Sequence, residues 1–368
     1  RSSVLMRDFS LELPVNSVSF GQVSVALLRE FHARGLQPCL FPIGDNIDLN
    51  CQDDLAEDFQ KWIQSCIAKR FEHHSRSNPT FKLWHLNGSL GSYSEKQVLL
   101  SFHELDEVTP TEKNIAKNNT LAFTSNYSRE VFKSNGIENT KFIPLGFDSH
   151  NFRVKEQSYL NDKIVFNITG KLEKRKNHKQ AIQAWVKKYG NNKDYVLQCA
   201  ISNPFLKQED FSRLLNEILE DKTYFNINFL GAMQKNSLYN DYLNSSNIIL
   251  GVSGGEGWGL PEFQSVALGK HSVMLNATAY KEWATPENST LLEPNGKRDV
   301  YDNIFFHKGS PFNQGNTFVF DDDEFIDACE KAVEKAKANP VNEEGLKLQE
   351  KFTYKNTVDE IVKVIEEV

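Results

Sequence analysis

The sequence has few of the features that mark disulfide-rich, membrane-spanning or metal-binding proteins. It holds five cysteines in 368 residues, and they are scattered, with no Cys-x-x-Cys pair and no cluster with histidine. This odd, dispersed set predicts reduced thiols and no metal site, which favours a cytoplasmic protein. No apolar run approaches the roughly 20 residues of a membrane-spanning helix, so we expect at most peripheral membrane contact.

An excess of positive charge is also absent, since the formal net charge is -7. Nonspecific nucleic-acid binding, which needs a broad basic face, is therefore unlikely. What the chain does have is length and apolar content: 368 residues, of which 39% are hydrophobic and 11% aromatic. These values predict two domains of ordinary size, each with a substantial core.

The most informative stretch is Ser253–Gly269, which follows an apolar strand pattern at Asn247–Val252. It places four glycines within six positions and then Pro261, which suits the first turn of a helix. A glycine-rich turn before a helix presents free N–H groups and the positive end of the helix dipole, which together attract phosphate. From these residues alone, an ordinary connection between a strand and a helix remains an equal alternative.

A second candidate lies at Gly170–Asn177, directly after the strand pattern Lys163–Thr169. Four cations fall within six residues here, among them Lys171, Arg175 and Lys176. Such a cluster can neutralise a diphosphate in a cleft that holds little water. The alternative is a solvated basic turn.

The first half of the chain has the alternating pattern of an α/β unit. Residues 4–6 are a candidate first strand, and Gly21 precedes a helix pattern at Gln22–Arg34. Two further strand patterns end in His85 and His103, at the end of a strand where ligands of open α/β sheets gather. A structural role is the alternative for each of these histidines and for Gly21.

The segment EGWGLPEFQSVALGK, at residues 256–270, resembles the donor-sugar loop of family 4 glycosyltransferases. These are retaining enzymes with two Rossmann-like α/β domains facing across a cleft, the GT-B architecture. The resemblance implies that Glu256 holds hydroxyls of the donor sugar. The family's second glutamate, which holds the nucleotide ribose, is Gln264 here, and an amide can still bond a ribose hydroxyl.

The resemblance extends along nearly the whole chain and implies a role for each matching position. The catalytic residues implied are His103 and Glu256. The phosphate-binding residues implied are Gly21, Lys171, Arg175, Lys176, Gly259 and Leu260. The sugar-binding residues implied are Gly255, Gly257 and Trp258, and those binding the nucleotide are Gly231 and Gln264. No metal and no cofactor beyond the nucleotide-diphosphate sugar are implied.

The expected domains are an acceptor-side domain over 1–150, a nucleotide-sugar domain over 151–345 and a final helix over 346–368. The expected function is retaining transfer of a sugar, a hexose by preference, to a carbohydrate, lipid or small-molecule acceptor. The alternative is a catalytically impaired binding or assembly protein of the same fold, which Gln264 motivates. A dehydrogenase is disfavoured because no G-x-G-x-x-G follows the first strand.

Two further expectations concern loops. Residues 288–318 form an Asn- and Gly-rich segment that we expect to be irregular and functional. Glu256 stands between glycines, so we expect its replacement to affect turnover more than folding.

Overall fold

Two parallel β-sheets organise the protein, as seen in a computed structural model that describes residues 7–156 and 159–368. Each sheet has six strands, all of them parallel, with helices between most successive strands. Each sheet with its helices is a Rossmann-like domain, and the predicted GT-B fold class is confirmed. The exact domain limits stay a prediction, and residues 157–158, shortly after the expected boundary at 150, lie outside the described ranges.

The first sheet has the strand order β2-β1-β3-β4-β5-β6. Its strands are β1 (Ser10–Val15), β2 (Cys39–Ile47), β3 (Thr80–Leu83), β4 (Gln97–Ser101), β5 (Thr120–Phe123) and β6 (Thr140–Phe142). Its helices are α1 (Ser19–Ala33), α2 (Glu57–His73), α3 (Pro110–Lys117) and α4 (Asn126–Ser134). The sequence pattern missed β1, and the strand predicted at residues 4–6 lies outside the described residues.

The second sheet has the order β12-β11-β10-β7-β8-β9. Its strands are β7 (Ile164–Lys171), β8 (Tyr195–Ser202), β9 (Ile227–Phe229), β10 (Ile248–Gly251), β11 (His271–Leu275) and β12 (Thr290–Leu292). The helices among and after them are α5 (His178–Tyr189), α6 (Gln208–Ile218), α7 (Asn236–Asn244), α8 (Leu260–Ala267), α9 (Asp322–Ala338), α10 (Glu343–Leu346) and α11 (Leu348–Lys351). Strands β10 and β11 are buried along their whole length, which explains their nearly continuous apolar sequences.

The strand orders determine where the two candidate phosphate-binding loops lie. In the first sheet the strand order reverses between β1 and β3, and in the second between β7 and β10. At such a switch point the loops leave the sheet on opposite faces and open a crevice at the carboxyl ends of the strands. The cationic loop, within residues 170–177, follows β7. The glycine-rich loop, within residues 253–259, follows β10, so the topology brings the two loops together.

The segment over residues 288–318 is more regular than the sequence indicates. It contains β12 and one strand of an antiparallel hairpin, β13 (Gly296–Asp299), which pairs with β14 (Asn316–Val319). The hairpin and its loop reach the first domain: Asn316 donates its backbone N–H to Asp106 at 2.7 Å, and Lys297 lies 3.1 Å from the same carboxylate. We call residues 296–319 the bridging hairpin.

The last helix, α12 (Tyr354–Glu367), packs on the first domain. Arg34 of α1 forms an ion pair with Asp359 at 2.7 Å, and Thr357 donates to the carbonyl of Pro144 at 2.7 Å. The chain therefore crosses between the domains a second time after α9.

Candidate active site

A cavity of about 770 Å³ lies between the two domains at the switch points. Four of the residues expected to bind the donor line it: Lys171, Gly231, Leu260 and Gln264. The first domain contributes a wall that includes Ser17, Ser19, Gln22, Asp48, Asn50 and Cys51. The size suits a nucleotide-sized ligand.

The cationic loop and Glu256 meet behind this cavity. The Lys176 ammonium donates to the Glu256 carboxylate in a close, nearly buried ion pair. Burial alone would raise the pKa of Glu256, but Lys176 and then Arg175 lower it to about 2. The carboxylate is therefore ionised at neutral pH and is held by two cations.

Arg175 is committed to protein contacts. Its guanidinium bonds Glu173 at 2.6 Å and 2.8 Å, donates to the carbonyl of Gly255 and lies 3.6 Å from Glu256. Although burial opposes the charge, the Glu173 and Glu256 carboxylates raise the pKa of Arg175 further. Arg175 thus ties the cationic loop to the glycine-rich loop.

Lys171 is the most accessible of the three phosphate-binding candidates. Its ammonium lies 3.8 Å from Glu173 and 4.2 Å from the ring centre of Phe305. Burial lowers its pKa, against the opposing effect of Glu173. This lysine faces the cavity with a weak partner, so it is free to bind an anion there.

The glycines of the second loop permit close contact with the first domain. A Cβ on Gly255 would lie 2.6 Å from the carbonyl oxygen of Glu104, and one on Gly257 would lie 2.7 Å from the Cβ of Phe102. Thr124 also donates its hydroxyl to the carbonyl of Gly257. Both glycines therefore lie at the domain interface, where any side chain would push the domains apart.

Gly259 has a different reason to be glycine. Its φ of 83° is in the left-handed region, immediately before α8, and a Cβ there would lie 2.5 Å from the Tyr280 ring. Leu260 and Pro261 then open the helix at the cavity wall. The positive end of α8 thus points to the cavity.

Trp258 is a core residue in this structure. Its side chain is buried against Phe263 and Phe352, with ring centres 5.3 Å away in each case. Its carbonyl accepts a bond from the Trp283 indole at 2.9 Å. Contact between this residue and a sugar would therefore have to come from the backbone.

Gln264 lies one turn into α8, where it is largely buried and lines the cavity. Within residues 7–156 and 159–368 its side-chain amide has no hydrogen-bonding partner, although its backbone carbonyl accepts from the Leu268 N–H at 2.9 Å. Gly231 lies across the cavity in the loop after β9, with nothing near its Cβ position. Both residues line the cavity, whose volume suits a nucleotide.

His103 points away from the cavity. Its Nε2 donates to the carbonyl of Glu107 at 3.0 Å, its Nδ1 lies 4.0 Å from Glu112, and its ring packs edge-on against Phe132. These contacts organise the segment after β4 on which the bridging hairpin docks. The other candidate, His85, is exposed at the end of β3. The catalytic role of His103 stays a prediction.

Gly21 lies inside α1 rather than in the loop before it. Its backbone packs so closely against the carbonyl and side chain of Asn16 that a Cβ would overlap both. This local contact is sufficient reason for a glycine. The neighbouring Ser17 and Ser19 line the cavity instead.

Two acidic residues escaped the sequence analysis. Glu262 is buried beneath the glycine-rich loop, where burial and the neighbouring Glu256 raise its pKa to about 7. Glu104 lies against Gly255 at the interface. Glu262 stands within the recognised stretch and Glu104 follows His103, but a single acid has no pattern that could reveal its position.

The sequence of the second domain matches a known family over residues 148–304, which is described as glycosyl transferases group 1. This match covers both the cationic and the glycine-rich loop. Over these residues the chain is similar to a group 1 glycosyltransferase domain. The prediction of a glycosyltransferase is thereby confirmed, while membership of family 4 in particular stays a prediction. A comparison with curated protein sequences finds no match.

Solved structures of similar fold align with nearly the whole chain. Sucrose-phosphate synthase from Thermosynechococcus elongatus is 12% identical with a TM-score of 0.67, over 98% of this chain and 99% of that one. HepE from Anabaena in complex with UDP-glucose is 12% identical with a TM-score of 0.66, over 98% and 100%. A trehalose-6-phosphate structure from E. coli bound with UDP-2-fluoro glucose is 12% identical with a TM-score of 0.66, over 98% of this chain and 99% of that one. At these identities the likeness establishes the fold alone.

Membrane-spanning helices and metal-binding clusters are both absent from the described ranges. No helix there is long and apolar enough to cross a bilayer. No group of three or more His, Cys, Asp or Glu side chains among those residues is arranged to hold a metal ion. All five cysteines are unpaired and buried.

Proposed function

We propose that this group 1 glycosyltransferase transfers a hexose from a nucleotide-diphosphate sugar, with retention at the anomeric carbon and without a metal ion. The observation that carries the proposal is the interdomain cavity, which gathers Lys171, Gly231, Leu260 and Gln264 on one continuous wall. The base would lie near Gly231, the ribose near Gln264, and the diphosphate between Lys171 and the start of α8.

The Lys176–Glu256 pair gives the proposal a mechanism. A diphosphate in the cavity competes with Glu256 for the Lys176 ammonium, since both are anions and charge-assisted bonds are strong. Once Lys176 turns to the phosphate, the Glu256 carboxylate is released to accept bonds from sugar hydroxyls. The leaving diphosphate is then stabilised by two lysines and a helix N-terminus, which concentrates stabilisation where charge develops.

UDP-glucose is the first donor to test, because two solved structures of the same fold hold UDP-glucose or its 2-fluoro analogue. We expect titration calorimetry to detect UDP binding and NMR of the reaction to detect a product of the same anomeric configuration as the donor. EDTA should not change the rate. Lys188→Ala is the matched control, since Lys188 forms an exposed pair with Glu330 far from the cavity.

The same experiment distinguishes sugar transfer from the alternative function, a binding or assembly protein with impaired turnover. The amide at Gln264 favours that alternative. Tight UDP binding with neither transfer nor donor hydrolysis would support that alternative. Absence of binding to UDP, ADP and GDP, and to their glucose conjugates, would contradict both functions.

A further inference from the structure

Aromatic side chains collect at the carboxyl edge of the first sheet, next to the donor cavity. Strands β1, β3 and β4 are neighbours in that sheet. Phe20 follows β1 at the start of α1, Trp84 and His85 follow β3, and Phe102 follows β4. The topology therefore places four rings side by side at the switch point of the first domain. We call these four residues the aromatic platform.

The rings form one connected group. Phe20 stacks on Phe102 with ring centres 4.8 Å apart and meets His85 edge-on at 4.7 Å. Trp84 lies 5.9 Å from Phe20 and 5.0 Å from His85. His85 is exposed and the other three rings are half-buried. A core would cover such rings, so this group presents an aromatic surface.

The aromatic platform faces the second domain at the glycine-rich loop. Phe102 is the ring that leaves no space for a side chain on Gly257. The residues just before Phe20, from Ser17 to Ser19, line the donor cavity. The surface therefore begins where the reacting end of a donor sugar would lie, beside Glu256.

A carboxylate borders the same surface. The Cβ of Glu104 lies 3.3 Å from the Cβ position of Gly255, and within the described ranges the carboxylate has no hydrogen bond or ion pair. Its charge also acts on Lys171, whose pKa is lowered chiefly by burial and partly restored by Glu104. An acceptor of hydrogen bonds thus stands between the rings and the donor cavity.

We propose that the aromatic platform and Glu104 form the acceptor site and that the acceptor is a carbohydrate. Sugar rings have faces of C–H groups with positive partial charge, which stack on the negative faces of aromatic rings. Their hydroxyls require hydrogen-bond acceptors at the edge of such a surface, and Glu104 supplies one. A lipid tail would gain nothing from a carboxylate or an exposed imidazole in this place. The inference rests on the proposed function.

The test compares transfer with donor use. With UDP-glucose as donor, the acceptor probes are the methyl glycosides of glucose, galactose, mannose and N-acetylglucosamine, with dodecyl phosphate as a lipid probe. Trp84→Ala and His85→Ala should raise the KM for the best glycoside about twofold to tenfold, the range for losing one stacked ring. Glu104→Gln should lower kcat for transfer. Hydrolysis of UDP-glucose and its KM should stay unchanged in Trp84→Ala.

Tyr93→Ala is the matched control, because Tyr93 is another exposed ring of the first domain, stacked on Phe41 at 4.0 Å and outside the aromatic platform. It should leave the KM for the glycoside unaltered. Equal glycoside KM in wild type, Trp84→Ala and His85→Ala would overturn the inference, as would transfer to dodecyl phosphate but to no glycoside.

A binding measurement keeps the inference testable apart from turnover. Saturation-transfer NMR with UDP present should detect contact between a methyl glycoside and the wild-type protein, reduced in Trp84→Ala and kept in Tyr93→Ala. Failure to bind UDP with this contact intact would contradict the donor proposal alone. Lack of contact with any of the four glycosides, in a protein that binds UDP, would contradict the acceptor site alone.

Discussion

Replacing Glu256 with glutamine should destabilise the protein without ligand and yet preserve nucleotide binding. The sequence predicts that replacing this residue affects folding little, but the contacts of its side chain contradict that expectation. The side chain is nearly buried, and it accepts from Lys176 and lies 3.6 Å from Arg175. Glutamine cannot neutralise either cation, so the variant keeps two positive charges in a poorly hydrated place.

The size of the effect follows from the ion pair. A pKa lowered from 4.5 to about 2 corresponds to about 3 kcal/mol of folding stability at neutral pH, and loss of a bond to a charged group to about 1.5–3 kcal/mol. We expect a loss of about 2–3 kcal/mol, which lowers the melting temperature by about 5–10 °C. Because the folded-state pKa of Glu256 is lowered, the wild-type advantage is present above about pH 4.5 and fades as the pH falls towards 2.

The assay is thermal unfolding of wild type and Glu256→Gln at pH 7, with Glu330→Gln as the control for an exposed pair. The control should change the free energy of unfolding by less than about 1 kcal/mol. UDP should bind Glu256→Gln at least as tightly as wild type, since Lys176 no longer has to leave a carboxylate. Sugar transfer should fall about tenfold or more. Equal melting temperatures at pH 7, or lost UDP affinity in a folded variant, would refute this account of the pair.

Three further predictions concern neighbouring residues. Lys176→Ala should weaken UDP binding by about 1.5 kcal/mol, the lower end of the range for bonds to charged groups, because Glu256 competes for the lysine in wild type; calorimetry that finds unchanged affinity, with Lys188→Ala as reference, would remove Lys176 from the diphosphate site. Gln264→Glu should be tolerated or should tighten UDP binding, since either side chain can accept from a ribose hydroxyl; a folded variant that no longer binds UDP would assign the position another role. Glu262→Gln should stabilise the protein at pH 8 relative to wild type, because a folded-state pKa raised to about 7 means that wild-type stability is lost as the pH rises from about 4.5 through 7. Melting temperatures of wild type and Glu262→Gln at pH 5 and pH 8 test this prediction. A difference between the two proteins that does not widen with pH would show that Glu262 is not buried as a neutral acid.

The donor side of the site could be predicted from sequence because its chemistry is local. Glycines, lysines and a helix start occur within short runs at 170–177 and 253–269, and each run follows a strand. Which lysine is free and which is already paired could not be predicted, since the Lys176–Glu256 pair joins residues 80 positions apart. The weak pairing of Lys171, which lies 3.8 Å from Glu173, is likewise a property of the fold.

The first domain was less predictable, and the reason is again physical. Strand β1 has the sequence SLELPV, in which a proline and a glutamate interrupt the apolar pattern, although five of its six residues are buried. Glu12 forms an ion pair with Lys82 of β3, at 3.4 Å, so the partner that permits its burial is 70 positions away. The His103 assignment depended on a strand end alone, and such a pattern does not indicate the direction of the side chain.

The bridging hairpin has a consequence for protein engineering. Two-domain glycosyltransferases can be joined into chimaeras, in which a domain of one protein sets the donor preference and a domain of another sets the acceptor preference. Here Asp106 of the first domain is bonded to Lys297 and Asn316 of the second, and Thr109 donates to the carbonyl of Pro311. A graft cut only at the linker would combine a hairpin with a docking surface from another protein. A chimaera built on this chain should therefore exchange residues 296–319 together with the first domain.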